Sequence, residues 1–533
     1  FLDGLPIIGQ LPKEKRPFIN DKSEIRPSLL QRVHFREPTT GPARLRGTKT
    51  YEPMRVATSY VVRQPAGFPI EYVPFFEQAA DNMAARIGLP LFDTLPTWHE
   101  TINGMPMYDV PRIDPTASVG FTGFNNLSSK RQDLFVKRPA ATPEVIAWME
   151  SHLSPIDPDD VFPIPALMNQ IKKVSEYIEA GVIPPNLVVD SLKDERRPIP
   201  KRENPRLFSF YELAAFLAFR RYTIVFSATI SAPERRITNG MLYGIQVQSQ
   251  EWAFFDAFRN SYDHCAEWDQ EKFDKRLHPQ LTEYLFRGTK HLHPGRNKQW
   301  SVVISAYWFA YVVNHLGIVL FLYHRANSGF AGTTPFNCGC SSLLSEACIL
   351  WHQAKTGERF QYHCLAYGDD TNVLVGKNGE HLTYGFSVHA EFQKPLGMSI
   401  SSPAKDGKIV DFISPRDAVM LKRTTLPYGP YILCPLPLSV IYETALWILD
   451  GKNTDIEATE QNAASSLRAM AEYGREAFNN YKRELNFALR EAGCQPLISL
   501  TWDEVVTKRF AGPHYTAAES SSHHVIPLSL PSF

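Results

Sequence analysis

The sequence predicts an α+β protein of several lobes, with its chemistry placed at the ends of short strands. Three observations lead there. The chain has 533 residues, 44% of them hydrophobic, enough apolar material for about three lobes at roughly 150 residues each. Downstream of residue 205, helical periods alternate with short β-prone runs. Those runs end at acidic turns. Lys and Arg number 56, and so do Asp and Glu, which excludes a disordered polyelectrolyte and removes the simplest argument for a nucleic-acid partner. Any such partner has to be argued from local clusters.

In chain order, 26 of the 41 prolines fall before residue 210. An extended, loop-rich segment that wraps other lobes is expected there. The start lacks a charged flank followed by a long apolar core, so no secretory signal is expected. Residues 208–221, 301–323 and 335–353 carry apolar faces and predict helices. The segment 301–323 has no Asp, Glu, Lys or Arg and is long enough to cross a bilayer. Asn314, His315 and Gly317 favour a buried core helix instead, with no stable membrane insertion. Residues 456–492 repeat Ala, Leu and Phe at three- and four-residue steps, predicting a helical last lobe, and the Ser- and His-rich tail 520–533 reads as irregular. The seven cysteines include no C-x-x-C pair and suggest buried thiols in a reducing compartment.

The chemistry concentrates in two strand-like runs. Residues 361–376 form two β-prone stretches joined at Gly368-Asp369-Asp370, a hairpin with carboxylates at its tip. A second acidic pair, Asp269 and Asp274, follows the strand-like residues 262–268. If the strands pair, Asp269 and Asp369 meet. Neighbouring carboxylates that both stay ionised need a counter-charge, and hard oxygen donors favour Mg²⁺ or Mn²⁺. Two such ions are a known arrangement for in-line displacement at phosphorus. Between the pairs lies a Gly-bearing loop, 327–337, running into a helix with Pro335 in its first turn. By itself this is an ordinary helix start, with Thr333 or Thr334 capping.

Taken together, D-x4-D, S-G-x-x-G-T-T-x-x-N and G-D-D, spaced by 59 residues from Asp269 to Ser328 and 41 from Ser328 to Asp369, resemble the palm of right-hand viral RNA-dependent RNA polymerases of the picornavirus-like group. Lys193, Arg197, Lys201 and Arg206 resemble the basic fingers motif of that group. Residues 193–206 hold six basic and three acidic side chains. Residues 116–123 with Lys130 and Arg131 resemble the template-guiding motif, and Met420-Leu-Lys-Arg423 the primer-supporting hairpin. Residues 396–408 resemble the segment that supplies the general acid, Lys405, with Lys408 a rival because Lys405 precedes Asp406 instead of following an Asp.

The resemblance implies fingers, palm and thumb, encircled by fingertips. Residues 1–260 would form the N-terminal extension, fingertips and fingers, 261–290 and 323–427 the palm, 291–322 a fingers insertion, and 428–533 thumb and tail. It implies that Asp269, Asp369 and Asp370 hold two Mg²⁺ or Mn²⁺ ions. The triphosphate would meet Lys193, Arg197, Lys201 and Arg206. Asp274 and Asn337 would read the ribose, with Thr333 orienting Asp274 and Ser328 nearby. RNA would lie along Lys130, Arg131, Lys422 and Arg423. Expected partners are template and nascent RNA, nucleoside triphosphates and a viral capsid protein, with a location in the virion interior and host cytoplasm. A freestanding chain of this size suggests a double-stranded RNA virus, picobirnavirus before partitivirus, although the central motif also resembles caliciviruses and picornaviruses. Competing classes are a reverse transcriptase, another two-metal phosphotransferase or nuclease, and a non-catalytic RNA-binding virion protein.

Overall fold

The computed structural model describes residues 7–17, 21–48, 51–59, 67–114, 117–121, 127–128, 130–149, 157–185, 187–322, 325–376, 382–402, 409–451 and 453–510. Its centre is a four-stranded sheet in the order Tyr362–Tyr367, Asp370–Val375, His264–Gln270, Ile400–Ser401. All pairings are antiparallel. Val373 and Val375 share one face, in the core that also holds Leu343, Leu344 and Ala347 of the long helix Thr333–Thr356, while Leu374 between them is buried in a separate core on the other face.

A second sheet of five strands runs Ile7–Gln10, Ile318–Leu322, Ala310–Val313, Leu187–Leu192, Leu207–Phe210. Its one parallel pairing sets Val312 beside Val188. This sheet corrects the expected helix over 301–323. The helix Asn297–Trp308 stops, and the β-branched residues that follow fold into a hairpin, Ala310–Val313 with Ile318–Leu322. Gly317, at φ 77°, closes its turn. The helix expected from 208 begins at Leu213 instead, because Leu207–Phe210 pairs with Leu187–Leu192. Among the described residues, Leu213–Ser231 is the one helix long and apolar enough to cross a membrane, and 78% of its apolar window is buried inside the protein.

One apolar core runs through both sheets, from Met54 to Met398. The expected borders at 260, 290 and 322 therefore cross a continuous interior. The C-terminal lobe has its own core. Its helices Asp455–Met470 and Arg475–Glu491, parted at Gly474, bury Leu467, Phe478, Leu485 and Leu489 around Leu29 and Leu30 of the N-terminal segment. That segment contacts both ends of the molecule. Ile7–Gln10 edges the five-stranded sheet, Ile25–Pro27 pairs with Trp447–Leu449 of the last lobe, and Thr40–Pro42 pairs with Arg196–Pro198. It wraps as expected, but residues 73–87 and 165–179 within the proline-rich half form full helices with Pro at the first turn. All seven cysteines are free and buried.

Candidate active site

The hairpin turn is the site's anchor. Tyr367 pairs with Asp370, leaving Gly368 and Asp369 as a two-residue turn. Gly368 has φ 63°, the conformation this turn needs at its first central position. The long helix braces it from below: Ser341 donates to the Gly368 carbonyl at 2.7 Å, and the Gly368 N–H donates to Cys338 Sγ at 3.1 Å. The thiol thus has a structural part that spacing alone did not reveal.

The central strands are registered with Thr371 opposite Trp268. One step further along this ladder brings Asp370 to Asp269, so the two acidic motifs meet at one strand end. Partial burial, then Asp269 and Asp274, push the Asp369 carboxyl up, while Arg206 opposes. Asp370 is pushed up to about 6 by burial first, then by Asp369 and Asp269, against the Leu421 N–H and Lys422. Such crowding of carboxylates suits a hard divalent cation in donor chemistry. Among the described residues no group of three or more His, Cys, Asp or Glu is gathered closely enough to hold a metal ion. The donors therefore fit the expected ions in kind and position, without a closed cage.

Asp274 lies in the first turn of a short helix, Phe273–Arg276, which follows Lys272 in the left-handed region. It lies within electrostatic reach of Arg206, Arg325, Tyr307 and Asp369. The loop 327–332 packs against it, with the Ala326 N–H on the Asp274 carbonyl at 2.8 Å. Asn337 faces this region from the long helix, its Oδ1 accepting from the Tyr307 hydroxyl at 2.6 Å. Ser328 Oγ accepts from the Ser209 N–H at 3.1 Å and ties the loop to the neighbouring sheet.

Several expected roles are corrected. Thr333 does not orient Asp274. Its hydroxyl is turned to the carbonyls of Asn327, Ser328 and Phe330, 2.9–3.1 Å away, and stabilises its own loop. It does not cap the helix either, since the cap residue is Gly332. Arg423 donates to the Cys434 carbonyl at 2.7 Å and so braces the hairpin. Lys422, exposed at the tip with φ 60°, projects on the Asp370 side. Arg131 is spent on the carbonyls of Asp114 and Ser118, while Lys130 is exposed. Lys405 and Lys408, the tail 520–533 and part of 116–123 lie outside the described residues.

The basic fingers residues converge, but on an acid. Glu195 sits 3.5 Å from Lys193, 3.8 Å from Arg197 and in a bidentate pair with Arg206. Lys201 is exposed on the following turn. A buried network also went unread in the sequence. Arg325 clamps Asp190 with both terminal nitrogens at 2.7 and 2.8 Å, and reaches Ser209 and Asn327. Its signal was an Arg three residues ahead of Ser328.

The chain superposes on a Sicinivirus 3Dpol RNA-dependent RNA polymerase with a TM-score of 0.76, covering 95% of this chain and 99% of that one at 17% identity. The fold is that of a viral RNA-dependent RNA polymerase. The four-stranded sheet draws on the residues expected to form the palm, the five-stranded sheet on those expected to form the extension and fingers, and the last lobe on those expected to form the thumb. No family model matches the chain. Curated relatives are viral polyproteins: the replicase polyprotein of acute bee paralysis virus, 24% identical over 68% of this chain and 20% of that protein, and the RNA1 polyprotein of Satsuma dwarf virus, 21% identical over 91% and 24%. The genome polyprotein of rice tungro spherical virus is 26% identical over 68% and 11%. The chain thus spans a quarter or less of the length of these relatives.

Proposed function

We propose that the chain is an RNA-dependent RNA polymerase that copies a viral RNA genome. The observation that carries this is the meeting of Asp269 with the Asp369–Asp370 turn at one strand end, with Asp274 and Arg206 in electrostatic range. Asp269, Asp369 and Asp370 would hold two Mg²⁺ or Mn²⁺ ions, which when bound neutralise the carboxylates and lower the pKa of an attacking 3′ hydroxyl. Arg206, Lys193, Arg197 and Lys201 bind and orient the triphosphate. Asp274 and Asn337 recognise the ribose, and Lys405 or Lys408 returns a proton to the departing pyrophosphate. Lys422 and Lys130 contact RNA phosphates.

A two-metal nuclease would use the aspartates but would leave Asp274 and Asn337 without purpose. A reverse transcriptase is expected to put a bulky obstruction near the sugar, where this chain has a carboxylate. A non-catalytic virion protein needs none of them. Of the two viral origins that the motifs raise, the polyprotein names of the relatives favour a picorna-like virus over a double-stranded RNA virus. A host cytoplasmic location fits either, and a virion interior with a capsid partner fits the second. Co-sedimentation of the chain with virions tests that.

The deciding experiment supplies a primer-free RNA template, nucleoside triphosphates and Mg²⁺. Complementary RNA is expected from the wild-type chain and none from Asp369→Ala. Synthesis that persists in Asp369→Ala, or template degradation without synthesis, refutes the reading.

A further inference from the structure

Ribose recognition as proposed leaves a buried tyrosine unexplained. Tyr307 is the penultimate residue of the helix Asn297–Trp308, is 0% exposed, and gives its hydroxyl hydrogen to Asn337 Oδ1 at 2.6 Å. Asn337 itself is half-buried at the edge of the site. We propose that Tyr307 is the positioning residue for sugar selection, holding the Asn337 amide with its oxygen inward so that the NH2 group faces the incoming nucleotide. The inference rests on the polymerase reading above and names how that site tells its sugars apart.

The chemistry follows from the amide's geometry. With Oδ1 engaged by Tyr307, the planar group presents Nδ2 on its other side, and that nitrogen can only donate. A 2′ hydroxyl both donates and accepts. Asp274 takes its hydrogen, and Asn337 gives one to its lone pair. A deoxyribose offers neither, leaving two polar groups unpaired. Burial pushes the Tyr307 phenol far up, so the phenol stays protonated and remains the donor.

The arrangement is anchored. Asn327 Nδ2 donates to the Tyr307 carbonyl at 3.0 Å, and Asn327 Oδ1 accepts from Arg325 at 3.0 Å. Arg325 is 2% exposed and fixed by its two bonds to Asp190. The Ala326 N–H binds the Asp274 carbonyl from the same segment. Both sugar-reading side chains therefore hang from residues 325–327, which a buried ion pair holds to the fingers sheet.

The test is the ratio of kcat/KM for a ribonucleoside triphosphate to that for its deoxy counterpart, measured with the full chain on a primed RNA template. Tyr307→Phe is expected to lower the ratio about tenfold, as for one well-placed hydrogen bond. The loss should come through ribonucleotide KM, with kcat within about twofold. An unchanged ratio, or an equal loss for both sugars, overturns the proposal. In an Asn337→Ala background Tyr307→Phe should move the ratio no further. A further fall of about tenfold there overturns action through Asn337. Asn337→Asp keeps an acceptor for Tyr307 and removes the donor, so the ratio should fall, and a retained ratio overturns the orientation assigned. That variant decides alone if Tyr307→Phe does not fold. A wild-type chain that incorporates neither sugar refutes the polymerase reading together with this one, whereas an active enzyme whose ratio ignores Tyr307 refutes this one only.

Discussion

Thr39 gives its hydroxyl hydrogen to Glu443 across 2.8 Å, joining the N-terminal strap to a thumb helix 404 residues away. The same carboxylate accepts from the Thr40 N–H at 3.0 Å and from Trp447 Nε1 at 2.8 Å, and the Glu443 carbonyl accepts from Arg196 beside the basic loop. One thumb residue therefore clasps both the strap and the fingers. Burial pushes its carboxyl up, but the bonds from Thr40, Thr39 and Trp447 outweigh that and hold it below its ordinary value of 4.5. Its contribution is complete above that value and is lost as pH falls through the lower folded-state value. Glu443→Ala is expected to cost about 2 kcal/mol, since several donors lose a charged acceptor. Denaturant unfolding measures it, and proteolysis should then reach residues 21–48 first. An unchanged midpoint would refute the clasp.

Glu195 neutralises part of the charge that the basic loop offers to RNA and triphosphate. Glu195→Gln should release that charge. RNA binding should tighten at low salt, and the slope of log affinity against log salt should steepen by about one. A titration at several salt concentrations reads this directly. No change in slope would mean that the cations contact RNA regardless of Glu195.

Burial first, and then the repulsion of neighbouring carboxylates at the palm turn, raises Asp369 and Asp370. Mg²⁺ should therefore raise the melting temperature of the wild-type chain, by linkage to the folded state. Asp369→Asn should lose most of that rise while melting no lower than the wild type in chelator, because it removes one like charge. A full Mg²⁺ response in Asp369→Asn would place the cation elsewhere.

Gly329 has no room for a side chain. A Cβ there would stand 1.7 Å from the Ser209 carbonyl oxygen and 2.9 Å from its carbon, both backbone atoms that cannot swing aside. Gly329→Ala should push the loop off the fingers strand, at a cost of about 2 kcal/mol or more. It should also abolish the Ser209–Ser328 bond. A melting temperature and nucleotide KM equal to wild type would show that the loop is free to move there.

His293, His363 and His389 are kept neutral by burial, with pKa values lowered to about 3, about 4 and about 3 from 6.5. The Ile237 carbonyl opposes the shift at His363, and His389 Nε2 is also hydrogen-bonded to the Tyr384 hydroxyl. Unfolding lets each take a proton below pH 6.5. Stability is therefore full above that pH and falls as pH drops toward the folded values, by roughly 1.4 kcal/mol per histidine per pH unit. Melting curves between pH 4 and 7 check the slope, and His363→Gln should flatten it.

The sequence made the site's chemistry readable because its parts are local. Gly368-Asp369-Asp370 is a turn whose backbone demands a glycine, and Ser328 to Asn337 is a loop entering a helix, so both are written in adjacent residues. Strand pairing of Asp269 with the turn could be argued from the β-prone runs on either side. What escaped was carried by distant pairs. Nothing near Arg325 points to Asp190, and nothing near Arg423 points to the Cys434 carbonyl. The helix expected over 301–323 failed for a related reason. An uncharged apolar run has no period that separates a buried helix from a buried hairpin, and here the pairing partner at Leu187–Leu192 decides. Thr333 does not reach Asp274, because a hydroxyl beside a loop satisfies the nearest carbonyls before it reaches across a cleft.

The pairing of Ile25–Pro27 with Trp447–Leu449 and the burial of Leu29 and Leu30 in the thumb core bear on how the chain is made. Those N-terminal residues leave the ribosome some 400 residues ahead of the strand and helices that cover them, which at about 5–20 residues per second is tens of seconds. Through that interval two leucines and a strand edge wait uncovered while fingers and palm fold around their shared interior. The thumb is then finished only by recapturing residues 25–30, so closing the hand and completing its folding are one event, slow because the loop it closes is about 400 residues long.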